Sequence, residues 1–146
     1  MKPKIYLDNC CYGRPYDDQS QIRIHLEAQA KMAIQHLIEE GKCILVASSF
    51  LLDENNAKAD GSVKAHIFEY IDTNMRVFVE EGEDPSLKEL AIEIEKEGIK
   101  ALDAAHLASA IYSGCDYFIT TDDRILKYRT DKIKIINPVL FITEER

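Results

Sequence analysis

The stretch ALDAAHLASAIYSGCDYFITTDDRIL, residues 101–126, decides the fold. Its first half is rich in alanine and carries Leu102, Leu107 and Ile111 near helical spacing. It reads as a helix over 101–113 whose small residues let it lie close against a sheet. Its second half, DYFIT, is an apolar run of strand length. Acids stand at the ends of both pieces: Asp103 in the first helical turn, Asp122 and Asp123 just past the strand. A helix feeding a strand that stops on carboxylates suggests an α/β unit with chemistry at the strand exit.

The pattern repeats on both sides of this stretch. KIYL (4–7) reads as a short strand ending at Asp8, and GRPYDD as a loop punctuated by Gly and Pro. Residues 20–40 are helical, with Ile24, Ala28, Ala30, Ile34, Leu37 and Ile38 in phase and Gly41 as a natural stop. CILVA (43–47) is uninterruptedly apolar, as in strands covered on both faces of a parallel sheet. Ser48 or Ser49 can cap the next helix, which carries Glu54 and is broken by the polar ENNAKADGS. A helix over 63–72 and a third strand, RVFVE (76–80), follow. EGEDPS then starts a helix, with Asp84 as N-cap, Pro85 in the first turn and Leu87, Leu90, Ala91 and Ile94 as one stripe; Gly98 separates it from the next helix. After the opening stretch, DRILKY reads as a short helix, and KIIN and VLFI as short strands around Pro138. The alternation predicts a three-layer α/β/α sandwich with a mostly parallel central sheet, and 146 residues are most simply one domain, 1–146.

Composition narrows the function. The net charge of −8 argues against bulk electrostatic capture of nucleic acid. The charge is uneven, however. Residues 80–97 hold eight acids and two lysines, a net of −6 that leaves −2 for the remainder, whereas residues 124–134 hold five bases and one acid. No stretch approaches the ~20 apolar residues of a membrane span. The N-terminal MKPKIYLDNCC turns acidic too soon for a signal peptide, so a cytoplasmic protein is expected. Four cysteines without a C-x-x-C pair fit buried reduced thiols rather than a zinc or redox motif.

Sheets of this type place their sites outside the carboxyl ends of the strands. Asp8, Glu54, Asp103 and Asp122, from four distant segments, are therefore expected on one edge. Each has an ordinary structural reading as well: a loop start, a surface acid, a charge favoured at a helix N-terminus, an N-cap. Brought together, they must share protons or hold cations, and hard oxygen ligands suit Mg²⁺ or Mn²⁺.

The segments IYLDNCC, VASSFLLDENN, ALDAAHLASAIYSGCDYFITTDDRIL and INPVLFI resemble the PIN-domain family, the ribonuclease fold of many prokaryotic toxins and RNA-processing nucleases. The most specific match is an acid in a DAxHLAxA-like helix followed by a strand ending in TxD, here Asp103, Thr120 and Asp122. The resemblance implies that Asp8, Glu54, Asp103 and Asp122 bind one or two Mg²⁺ or Mn²⁺ ions for endonucleolytic hydrolysis of RNA, with Asp123 a supplementary ligand. It implies a homodimer, as in many relatives, and a small antitoxin protein as the partner of toxin members. Asn9 stands where the family often has Thr or Ser, and can still donate a hydrogen bond to phosphate or a water. Asp53 competes with Glu54 for the inward position, since one helical step is about 100° and only one of two neighbours can face the cluster.

Arg14, Arg124 and Lys127 are candidates for phosphate contacts, against solvated-surface readings. Thr120, Ser49 and Asn9 are candidates for orienting the ligand carboxylates or a water. His106, one turn after Asp103, reads as a packed, hydrogen-bonded histidine behind the site. Rival chemistries fail on spacing. A cysteine phosphatase needs arginine six residues after its nucleophile, where Tyr16 and Asp17 stand, and a dehalogenase-type phosphatase needs an acid at Cys10. The remaining alternative is a non-catalytic PIN-like module that binds RNA or a protein.

Overall fold

The structure is a computed structural model that describes residues 2–145. Five strands form one sheet in the order β3-β2-β1-β4-β5: β1 Lys4–Leu7, β2 Ile44–Ser48, β3 Met75–Val79, β4 Tyr117–Ile119 and β5 Lys134–Ile136. Every pairing is parallel, in registers such as Ile5 with Leu45 and Tyr6 with Phe118. The helices are α1 Asn9–Gly13, α2 Ile22–Glu39, α3 Ser49–Asn56, α4 Gly61–Asn74, α5 Pro85–Lys96, α6 Ala101–Tyr112, α7 Asp123–Leu126 and α8 Pro138–Glu145, with a 3₁₀ turn at Arg14–Tyr16.

From β1 the chain steps outward to β2 and β3, then returns past β1 to β4 and β5. Right-handed crossovers put α2 and α4 on one face and α5 and α6 on the other, because the direction of travel reverses. The central strands are thus enclosed on both faces: Ile5, Tyr6, Leu7, Leu45, Val46, Ala47, Phe118 and Ile119 are all fully buried.

Local signals set most boundaries. Ser48, rather than Ser49, caps α3, its Oγ accepting from the N–H of Leu51 at 3.2 Å. Asp60 caps α4 and Asp84 caps α5, with Pro85 in the first turn. Gly41, at φ 75°, closes α2: its N–H reaches the Ile38 carbonyl and that of Lys42 the Leu37 carbonyl, a Schellman closure.

Two local expectations are corrected. VLFI is not a strand but the body of α8: Asn137 Oδ1 accepts from the N–H of Val139 at 2.8 Å, Pro138 takes the first helical position, and the helix packs on α2. The segment after Asp8 is not all loop, since residues 9–13 make a helical turn and GRPYDD opens in the 3₁₀ turn.

Candidate functional site

The chain leaves β1 toward one edge of the sheet and β4 toward the other, so the crevice at their carboxyl ends is the topological switch point. Asp8 follows β1 and extends the ladder by one bond, its N–H to the Ile119 carbonyl at 2.9 Å. Its side chain is buried and held on both oxygens. Oδ1 accepts from the N–H of Asn9 at 2.8 Å and Oδ2 from the Thr120 hydroxyl at 2.8 Å, with the Cys10 thiol at 3.5 Å. The Thr120 Oγ1 also accepts from the N–H of Asp122 at 3.1 Å, so one hydroxyl fixes the first acid against the last. Burial raises the Asp8 pKa, opposed by the nearby His106 ring, the Thr120 hydroxyl and the Asn9 N–H.

α3 delivers Glu54 to the same place and leaves Asp53 exposed over the cleft between α3 and α4. Glu54 Oε1 lies 2.8 Å from His106 Nε2, and His106 Nδ1 lies 2.7 Å from the Tyr6 hydroxyl. That hydroxyl is in turn 2.6 Å from Ser48 Oγ. Tyr6, Ser48 and His106 are fully buried, so the relay anchors Glu54 to the core. The hydrogen bond from His106 lowers the Glu54 pKa against the effect of burial, and the Asn9 side chain adds to it. Asp103, in the first turn of α6, is pushed up by burial and then by the charges of Asp8 and Asp122, with Glu54 adding to them. Asp122 caps α7 through Oδ1, which accepts from the N–H of Arg124 at 2.9 Å. Asp8 and Glu54 thus lie together beside His106, and Asp103 feels the charges of Asp8, Asp122 and Glu54.

Among the described residues, ligand atoms of Asp8, Glu54 and His106 lie within 4.8 Å of one another. Both His106 nitrogens are already committed, so the imidazole fits the role of an orienter of Glu54 and the open donors are carboxylate oxygens. A set of hard oxygens suits Mg²⁺ or Mn²⁺ better than zinc, and the crowding that raises Asp103 is the kind a divalent cation relieves.

Other residues singled out in the sequence lie elsewhere. Asp123 does not turn to the cluster: it is bound in bidentate fashion by Arg23, at 2.9 and 3.0 Å, with its side chain 62% exposed. Ser49 does not orient a site carboxylate, because its Oγ accepts from the N–H of Glu81 at 2.8 Å and ties α3 to the turn after β3. Arg14 is engaged by Glu27 (2.8 Å) and Asp17 (3.0 Å). Arg124 stays at the site, its Nε 3.6 Å from Asp122 Oδ1 and its side chain 70% exposed, and Lys127 is exposed at the end of α7. Sequence reading passed over Glu27, a buried carboxylate that takes Arg14 Nε at 2.8 Å, Arg23 Nε at 3.0 Å and Asn137 Nδ2 at 2.6 Å. Its position, in phase with the apolar series of α2, was the available signal.

No protein-family model matches the chain, and no curated protein matches it. Among solved structures it is similar to a chain of VapBC2 from Rickettsia felis, crystallised bound to a DNA fragment from their promoter. The TM-score is 0.58 at 14% identity, over 92% of this chain and 98% of that one. The fold is PIN-like. At this identity the likeness establishes the PIN-like architecture, a parallel sheet of five strands between helices, and the acids stand at that sheet's switch point. Among the described residues no helix is long and apolar enough to cross a membrane.

Proposed function

We propose that this chain is a metal-dependent endoribonuclease that hydrolyses RNA phosphodiester bonds at the acid cluster. What supports the reading is that Asp8 and Glu54 come together beside His106 past the carboxyl ends of the strands, and that Asp103 is raised by burial and then by the charges of Asp8, Asp122 and Glu54. These four residues would hold one or two Mg²⁺ or Mn²⁺ ions. A bound ion of this kind neutralises phosphate charge and activates water for in-line attack. The protein groups do the rest. Thr120 and the Asn9 N–H fix both oxygens of Asp8, and His106 holds Glu54 in one orientation. Arg124, exposed beside Asp122, and Lys127, exposed at the end of α7, take the flanking phosphates of a single strand. The basic run from Arg124 to Lys134 supplies the local attraction that a chain of net charge −8 lacks overall.

The likeness to VapBC2, an assembly named for more than one component, supports a small antitoxin protein as partner, with this chain as the toxin; a homodimer as its own form is what the sequence resemblance implies. The test is RNA cleavage in Mn²⁺ by the wild type, D8N and D122N, beside calorimetric Mn²⁺ titration of each. Cleavage lost in both variants together with Mn²⁺ affinity supports the reading. Cleavage that survives both places the activity elsewhere. RNA binding without cleavage at saturating Mn²⁺ makes the chain a binding module.

A further inference from the structure

Away from the acid cluster, α2 buries a second ionisable group on its inner face. Lys31 is 6% exposed, yet among the described residues no carboxylate lies within ion-pairing distance of its ammonium. Its partners are the Gln35 side-chain oxygen and the ring faces of Tyr12 and Tyr70, at 5.5 and 5.6 Å. Cation–π contact offsets only part of the cost of taking an ammonium out of water, and buried charges are ordinarily paired. Beside it stands a second anomaly. Tyr12 is fully buried, and its hydroxyl has no hydrogen-bond partner among the described residues. A buried hydroxyl in that state is uncommon and calls for a reason.

Both groups line the same open recess of about 190 Å³ between α1, the 3₁₀ turn, α2 and α4. Tyr70 and Gln35 form its walls. At its rim Tyr16 and His66 join through a 2.8 Å hydrogen bond between the phenol oxygen and Nδ1. One buried cation and the tyrosine whose hydroxyl lacks a partner thus line one recess, beside Tyr16, His66 and Tyr70 and the apolar Pro15, Met32 and Ile67.

We propose that this cavity is a binding site for a small oxyanion, a phosphate or carboxylate group, held between the Lys31 ammonium and the Tyr12 hydroxyl. The anion supplies the counter-charge that the protein withholds and accepts the hydrogen bond that Tyr12 otherwise lacks. A water satisfies the hydroxyl but leaves the ammonium without an opposite charge. The lowered pKa of Lys31, about 8 instead of 10.5, which comes first from burial, is the mark of a cation in an unpaired state. The narrow recess and the protein's acidic surface select a small ligand over a polyanion. The site lies outside the acid cluster and is independent of any nuclease activity.

The test is calorimetric titration of the whole chain with inorganic phosphate, and separately with acetate, at constant ionic strength set by chloride, for the wild type, K31M and Y12F. Expected is one saturable site for at least one of the two anions, weakened at least tenfold in K31M and several-fold in Y12F. The anion that binds more tightly names the ligand class. Y12F removes only an unpartnered oxygen, so it keeps the test decisive if K31M perturbs folding. Absence of saturable binding of either anion overturns the proposal, as does affinity unchanged in Y12F or K31M.

Discussion

Replacing Lys31 by methionine should stabilise the protein, and the gain should fade as pH rises. In the unfolded chain this amine keeps its proton up to about 10.5, and in the folded chain only up to about 8. Between those values the unfolded state binds more protons, so stability climbs with pH; below about 8 both states are charged and the full penalty of burial is present. The gap of about 2.5 in pKa corresponds to ~3 kcal/mol at ~1.4 kcal/mol per unit. Of this, ~2 kcal/mol should be recovered between pH 7 and pH 9.5. Methionine fills a similar volume without charge. K31M should therefore exceed the wild type by up to ~3 kcal/mol at pH 7, a rise in Tm of roughly 6–12 °C for a chain of this size. The assay is urea unfolding of both proteins at pH 7 and pH 9.5, in buffer free of phosphate and carboxylates. The Cys115 thiol, raised by burial and away from Lys31, titrates in both proteins and cancels in the difference. A K31M protein less stable than the wild type at pH 7, or an advantage unchanged at pH 9.5, would refute the assignment of Lys31 as a costly buried cation.

Three further outcomes are expected. E27A leaves two arginines and Asn137 without their shared buried carboxylate, and should cost ~3–5 kcal/mol of unfolding free energy by urea titration. T120V removes the hydroxyl that joins Asp8 Oδ2 to the Asp122 N–H; it should cost ~1–3 kcal/mol of stability and ~10–100-fold in Mn²⁺ affinity by calorimetry. D103N should raise the Tm of the metal-free protein, because the raised pKa of Asp103 means that its ionised form is disfavoured in the fold at every pH above its folded pKa. The same variant should lose most of the Tm increase that millimolar Mn²⁺ gives the wild type; a full metal-induced increase in D103N would remove Asp103 from the ligand set.

The helical stripes, the caps and the apolar strands were legible because each is set by residues a few positions apart. Asp84 with Pro85, and Gly41 after a periodic helix, are complete signals within one turn. Acids at strand exits were legible for the same reason. The tail is ambiguous in sequence because VLFI, four apolar residues, fits either period; the Asn137–Pro138 cap makes it a helix. The side-chain roles that went astray depend on partners far away in the chain. Ser49 looks like a cap until the Glu81 N–H, 32 residues on, takes its hydroxyl. Asp123 looks like a ligand until Arg23, 100 residues back, grips it.

By itself, then, the sequence determined the alternation of strands and helices through β5 and placed Asp8 and Asp122 just past strand ends, since periodicity and capping are local. Only the tertiary structure decided that Glu54 faces inward and Asp53 outward, and that His106 ties Glu54 to Tyr6. It also decided that Glu27 and Lys31, one turn apart on α2, serve separate environments: Glu27 meets two arginines, and Lys31 meets aromatic rings and a cavity. A helical repeat fixes which residues share a face, but the partner of a buried charge is chosen by what the rest of the fold packs against it.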